Sequence, residues 1–300
     1  MAAKIFAGSA SPNLAKLISQ KSKIPLGKIE VGHFSDTESD VWIQEDVNNA
    51  NVFIVQSTSA PTNDHIIELA LIADALKRSG ANKITAVIPY YGYARKEKQS
   101  REGEPISAKV VANILTTSGI TKVITVDLHA DPIVGFFDVP VVHLSAKEVL
   151  AAAVKGERLT SPVVVAPDVG GVRRARNFAS LLEAPLVVIE KKRNIHERET
   201  LEVLSISGES LGETAIILDD IISTGTTIIK AAEALKAKGV KRVLVCATHG
   251  VLAGDAVKNL ENSTIDKVIV TDTITTGIKS KKIEIASTAP LLANCLREEI

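Results

Sequence analysis

Apolar and polar positions along this chain fall into two alternating patterns. Short continuous apolar runs rich in β-branched residues recur throughout: "VFIVQ", "KITAVIPYY", "KVITVDLHA", "PVVVAPD", "LVVIEKK", "AIILDD", "KRVLVCATH" and "DKVIVTD". Runs of this length suit strands covered on both faces, as in a parallel sheet with helical crossovers. The segments between them carry helical spacing, most clearly after Gly225. In "TTIIKAAEALKAKG" the residues Ile228, Ile229, Ala232 and Leu235 stripe one helix face, and Gly239 supplies a C-terminal stop. The pattern predicts an α/β protein.

The chain also resembles itself. "ALKRSGANKITAVIPYY" from Ala75 and "ALKAKGVKRVLVCATHG" from Ala234 share a helix end, a glycine stop, a basic pair and an apolar strand, about 160 residues apart. "VFIVQ" and "AIILDD" precede them at a comparable offset, each followed by a Thr/Ser-rich loop and a helix. Two tandem copies of one α/β unit are expected. The boundary is placed near "HLSAKEVLAAAVKGERLTSP", where a helical pattern ends in a Gly/Ser/Pro turn.

Composition narrows the function classes. A length of 300 residues is enough for two cores. The 35 basic and 35 acidic residues cancel, so no global field favours nucleic acid or an anionic membrane, and any polyanion must be met locally. Cys246 and Cys295 are isolated and match neither a disulfide framework nor zinc spacing; Cys246, inside an apolar run, is expected as a buried small hydrophobe. No apolar run approaches the ~18 residues of a membrane span, and "MAAKIFAGSA" lacks the core of a signal peptide. A cytoplasmic protein is expected.

In open α/β sheets ligands gather beyond the carboxyl ends of the strands, so the polar residues that end each apolar run carry the chemistry. They are Asp127 and His129, Asp168, Lys191 and Arg193, Asp219 and Asp220, and the loop Ser223, Thr224, Gly225, Thr226, Thr227. That loop opens a helix. It offers hydroxyls, unpaired backbone N–H groups and the positive end of a helix dipole, which suit a phosphomonoester. Asp219 and Asp220 cannot bind phosphate; they would accept hydrogen bonds from vicinal hydroxyls one sugar-width away, or hold Mg²⁺. Together these features describe a sugar-phosphate site.

"AIILDDIISTGTTI" as a whole resembles the phosphoribosyl-diphosphate motif of type I phosphoribosyltransferases. Beyond it, "GHFSDTESDV", "PYYGYARKEK", "PISAKVVANIL", "DLHADPIVGFFDVPV", "VVAPDVGGVRRA" and "EKKRN" occur in the order and near the spacing of the ribose-phosphate diphosphokinase (phosphoribosyl-diphosphate synthetase) family. The similarity spans nearly the whole chain, and "DLHADPIVGFFDVPV" is its most specific part.

The resemblance implies two tandem type I phosphoribosyltransferase-like domains, residues 1–146 on the ATP side and 147–282 on the ribose 5-phosphate side, with 283–300 packing back on the first. It implies diphosphoryl transfer from ATP to the C1 hydroxyl of ribose 5-phosphate, with Mg²⁺, in a homo-oligomer of dimers or hexamers. By the same resemblance Phe34, Asp36, Thr37 and Glu38 would line the adenine site, Arg95 and Lys96 would contact the nucleotide, His129 would help hold Mg²⁺–ATP, and Asp168 would serve a metal or the ribose hydroxyls. His129 would also assist Lys191 and Arg193, which match the Lys-x-Arg pair of a closing loop. Arg193, Asp219, Asp220 and the residues Ser223 to Thr227 would hold ribose 5-phosphate.

Lys96, Glu97 and Ser223 stand where the family frequently has Gln, Asp and Asp, and "KQSREGEPISA" looks more like archaeal-type members. The regulatory ADP and phosphate site common in the family would be weak here, because Asn48 replaces an arginine and acids intersperse the loop after Arg95. A phosphoribosyltransferase that consumes the diphosphate would not need "FSDTE" or a second domain. A non-catalytic member of the fold would have lost Lys191, Arg193 or His129.

Overall fold

The computed structural model describes residues 3–193, 201–207 and 211–300. Two compact units divide the chain: Met1–Ser145 with Thr273–Thr275 and Thr288–Ile300, and Ala146–Asp272 with Thr276–Ser287.

The first unit contains β1 (Ala3–Ala7), α1 (Pro12–Ser22), β2 (Ile29–His33), β3 (Ser39–Ile43), β4 (Asn51–Val55), α2 (Thr62–Arg78), β5 (Lys83–Ile88), α3 (Ser107–Thr117), β6 (Lys122–Val126) and β7 (Val141–Leu144). Its five-stranded sheet is parallel throughout, in the order β1-β4-β5-β6-β7. β2 and β3 form a separate antiparallel hairpin.

The second unit runs α4 (Lys147–Lys155), β8 (Pro162–Ala166), α5 (Val172–Leu182), β9 (Leu186–Arg193), β10 (Leu201–Ser207), β11 (Thr214–Ile222), α6 (Thr226–Ala237), β12 (Arg242–Gly250), α7 (Ala256–Asn262), β13 (Lys267–Thr271) and β14 (Ile283–Ala286). Its sheet has the order β10-β9-β8-β11-β12-β13-β14, and only the β9–β10 pair is antiparallel. β8, β11, β12, β13 and β14 therefore repeat β1, β4, β5, β6 and β7, with a hairpin between the first and second strand each time. The tandem repeat is thus a repeat of topology. It differs in one respect: the second hairpin joins its sheet through β9, whereas the first stands apart.

Burial explains why the strands read as unbroken apolar runs. Val163, Val165, Ile217 and Val245 face one core together with Ile228 and Leu235 of α6. Their strand neighbours Val164, Ile216, Leu244 and Cys246 face another with Leu150 of α4 and Phe178 of α5. Alternate residues point to opposite faces, and here both faces are covered. Cys246 is fully buried, which pushes its thiol pKa up and leaves it a small hydrophobe.

The C-terminal segment expected to start at 283 is divided. Ile283–Ala286 extends the second unit's sheet alongside β13, and the chain from Thr288 belongs to the first unit. There the last helix, α8 (Ala289–Glu298), packs on α1, and Lys122 pairs with Glu299. Apolar pattern alone does not separate an edge strand from a connecting segment four residues long.

Candidate active site

In the second unit β8 and β11 are parallel neighbours, so the loops leaving their carboxyl ends lie side by side. β11 runs through Asp219 and Asp220 into a turn at Gly225, whose φ of +79° requires a residue without a Cβ penalty, and α6 starts at Thr226. Thr224 and Thr226 are exposed, with their hydroxyls 3.2 Å apart, while Ser223 and Thr227 are half-buried. The loop is braced from the β12 side: Leu252 N donates to the Ile222 carbonyl at 3.0 Å and Ala253 N to that of Ser223 at 3.1 Å. Hydroxyls and the first N–H groups of a helix thus share one short, braced turn, an arrangement suited to a phosphate.

Asp220 is almost fully buried and Asp219 half-buried. Burial, then the neighbouring Asp220 carboxyl, pushes Asp219 above the ordinary carboxylate range, partly offset by Arg174. Arg174, in the first turn of α5, places Nη1 3.2 Å from Asp220 Oδ1 and 3.7 Å from Asp219 Oδ1. Asp168 follows β8 on the surface, and its carboxylate accepts from Gly171 N at 3.0 Å, which caps the turn leading into α5.

In the first unit the loops after β4 and β5 meet the N-terminus of α2. They border an open cavity of about 760 Å³ between Pro61–Asp64 and the stretch Tyr90 to Lys96, with Arg95 and Lys96 in its lining. Gly92 N donates to Thr58 Oγ1 at 2.7 Å, and the Tyr93 hydroxyl donates to Asn63 Oδ1 at 2.6 Å. His129 follows β6, the sheet neighbour of β5, and is exposed. The preceding Leu128 N donates to His143 Nε2 at 2.8 Å.

Phe34 to Glu38 form the tip of the β2–β3 hairpin. Phe34 N donates to the Glu38 carbonyl at 2.8 Å, Thr37 N to that of Phe34 at 2.9 Å, and Glu38 N to Asp36 Oδ1 at 3.2 Å. Phe34 is 55% exposed. None of these tip residues lines the cavity that holds Arg95 and Lys96.

Lys191 and Arg193 lie on β9, with the backbone of Lys191 opposite Val203 and that of Arg193 opposite Leu201. Their side chains fall outside the described residues. Sequence reasoning missed Arg174, Tyr93 and Asn63. The available signal for Arg174 was a basic pair, Arg173 and Arg174, in a helix first turn that holds no acid.

Comparison with known proteins bears on both units. The family described as the N-terminal domain of ribose phosphate pyrophosphokinase matches residues 3–119, and the phosphoribosyl synthetase-associated domain matches residues 193–299. A ribose-phosphate pyrophosphokinase of Chromobacterium violaceum is 48% identical over 297 residues, covering 98% of this chain and 90% of that one. The chain belongs to the ribose-phosphate pyrophosphokinase family. A second member, from Shewanella oneidensis, is 48% identical over 299 residues, covering 98% and 94% of the two chains. The crystal structure of phosphoribosylpyrophosphate synthetase from Mycobacterium smegmatis superposes with a TM-score of 0.92 at 38% identity, covering 100% of this chain and 99% of that chain. The chain is therefore an enzyme of the pyrophosphokinase class on a duplicated α/β fold. All three relatives are bacterial, so they give no support to the archaeal resemblance read from "KQSREGEPISA".

Proposed function

We propose that the chain transfers the diphosphoryl group of ATP to the C1 hydroxyl of ribose 5-phosphate, giving 5-phosphoribosyl 1-diphosphate and AMP. The observation that carries this reading is the run from Asp219 and Asp220 into the Ser223–Thr227 loop at the N-terminus of α6. The loop takes the 5-phosphate and the carboxylates accept from the ring hydroxyls, which leaves C1 directed away from the anchored end of the sugar. The second unit is thereby the ribose 5-phosphate side.

The first unit is the ATP side, with Arg95 and Lys96 as cations in a cavity of about 760 Å³ and His129 on the adjacent strand end. Phe34, Asp36, Thr37 and Glu38 offer a ring and carboxylates suited to adenine. Their place on an exposed hairpin tip, outside that cavity, supports a homo-oligomer in which the tip serves a neighbouring copy. Lys191 and Arg193 are the cations proposed to meet the negative charge that develops on the transferring oxygens.

Among the described residues no three His, Cys, Asp or Glu side chains gather around one point. The donor set therefore fits Mg²⁺ carried on substrate phosphates and touched by one or two protein groups, the ordinary habit of this ion. His129 in the first unit and Asp168 in the second are each proposed as a group that could serve Mg²⁺, which when bound would withdraw charge from the phosphoryl oxygens. Among the described residues no helix is long and apolar enough to cross a membrane, and the formal net charge of zero leaves small anionic substrates to be met by local cations.

Incubation of the purified protein with ATP, Mg²⁺ and ribose 5-phosphate, followed by phosphorus NMR, tests the reaction. AMP and phosphoribosyl diphosphate should appear in equal amounts. ADP with a ribose bisphosphate would show γ-phosphoryl transfer and overturn the reading.

A further inference from the structure

Successive residues of a strand point to opposite faces of its sheet, so neighbouring aspartates on β11 should diverge. They do not. One nitrogen, Arg174 Nη1, lies 3.2 Å from Asp220 Oδ1 and 3.7 Å from Asp219 Oδ1, so the two carboxylates converge on a single guanidinium. Asp219 also folds back to accept from Asp220 N at 2.9 Å.

Arg174 holds this place against local preference. α5 (Val172–Leu182) has no acid in its first turn, and a cation there opposes the helix dipole. Departures from local rules concentrate where a site requires them. The helix is brought to the aspartates by the Asp168-capped turn after β8, the strand beside β11. Asp220 is only 4% exposed, so water has little access to its carboxyl and the guanidinium is left to hold it.

We propose that Arg174 is the positioning residue of the sugar subsite, a guanidinium that gathers Asp219 and Asp220 so that their outer oxygens accept from two vicinal hydroxyls of ribose 5-phosphate. This rests on the sugar-phosphate reading of the β11–α6 loop. One nitrogen of the guanidinium serves both carboxylates, held in direction by the planar group and less strongly hydrated than the freely rotating ammonium of a lysine. The selectivity follows: a pentose phosphate is bound through both hydroxyls, and an analogue lacking one of them loses the benefit of the pair.

Steady-state kinetics of Arg174→Ala and Arg174→Lys, with thermal shifts produced by ribose 5-phosphate alone, test the assignment. Arg174→Ala should raise KM for ribose 5-phosphate about 10- to 100-fold, the range for a lost charge-assisted hydrogen bond, and leave KM for ATP within about twofold. Arg174→Lys should recover part of the loss. The double variant Arg174→Ala with Asp220→Asn, which removes one charge of each sign, should restore the ligand-free Tm without restoring ribose 5-phosphate affinity. If Arg174→Ala lowers Tm or kcat while both KM values stay unchanged, Arg174 is only a counter-ion and the proposal is overturned. Asp219→Ala and Asp220→Ala separate the two levels. If they raise KM for ribose 5-phosphate and Arg174→Ala does not, Arg174 alone is excluded. If neither raises it, the sugar-phosphate reading falls and the proposal falls with it.

Discussion

The Tyr93 hydroxyl donates to Asn63 Oδ1 at 2.6 Å, joining the loop that carries Arg95 to the first turn of α2 across the first unit's cavity. Tyr93 holds a left-handed backbone, φ +64°, a conformation costing a non-glycine residue about 1–3 kcal/mol that persists where the surroundings enforce it. Tyr93→Phe should raise KM for ATP about 2- to 10-fold, the worth of one hydrogen bond, and leave kcat at saturating ATP nearly unchanged. Initial rates over a range of ATP concentrations check this. An unchanged KM would mean that the bridge does not shape the nucleotide site.

The floor of the same cavity has no room for a methyl group. A Cβ on Gly92 would sit 2.4 Å from the Thr58 carbonyl oxygen, and backbone cannot swing aside as a side-chain end can. Gly92→Ala should therefore destabilise the protein by about 1–3 kcal/mol. Gly135→Ala, whose Cβ would meet nothing within 4 Å, should stay within about 0.5 kcal/mol of the parent. Urea unfolding of the two variants side by side makes the comparison.

These contacts mark the limit of what the sequence discloses. Internal strands such as β5 and β11 were legible because both faces are covered and the apolar run is unbroken. β2 and β3, half-buried and alternating, and the short edge strands β7 and β14 were not, because a four-residue segment with one open side looks like a connection. The phosphate-type loop was legible for a local reason, since glycine, hydroxyls and helix start are consecutive. The clasp of Arg174 on Asp219 and Asp220 joins the first turn of α5 to the end of β11, remote in sequence, and only the pairing of β8 with β11 brings them together.

Acid should act on the second unit through Glu157. Its carboxylate, just beyond α4, accepts from Arg242 and Lys267, the first residues of β12 and β13. Lys267, then Arg242, holds Glu157 below its ordinary value of 4.5. A carboxyl whose folded pKa is depressed contributes stability that is complete above its unfolded pKa and is lost as pH falls through the folded one. Glu157→Gln should thus lower stability at neutral pH by about 1–3 kcal/mol, with the gap to the parent closing as pH drops below about 4. Thermal midpoints measured across that range would contradict the argument if the gap stayed constant.

Lys191 tests the transfer step. Its backbone lies on β9, directly after the apolar strand segment "LVVIE", the place in the sequence that the proposed reaction assigns to a cation on the transferring group. Lys191→Ala should reduce kcat by about 10²–10³, as expected when preorganised charge is removed from a transition state, with the circular dichroism spectrum unchanged. Near-normal turnover at saturating substrates would make it an ordinary surface lysine.

Regulation by a second polyanion should be weak, because the cations of this loop beyond the proposed nucleotide contacts are paired with acids. Lys98 pairs with Glu97 at 3.2 Å and Arg101 with Glu104 at 3.7 Å, within one loop. Glu104 stays ionised: the Ser100 N–H, then Lys96 and Arg101, hold its carboxyl below the usual range. An incoming phosphate would have to displace that carboxylate and face its repulsion. Asn48, a second position where a guanidinium would have served, is occupied in local structure. Its N–H donates to Asp46 Oδ1 at 2.9 Å, and its side-chain oxygen lies 2.7 Å from where a Cβ on Gly80 would stand. ADP should accordingly inhibit only by competing with ATP, and inorganic phosphate should not be required for activity. Initial-rate curves in ATP at several ADP concentrations decide the matter, since inhibition that survives saturating ATP, or a sigmoidal response abolished by phosphate, would reveal a separate effector site. Glu104→Gln supplies the converse, for removing the acid that pairs with Arg101 should make the enzyme more sensitive to phosphate.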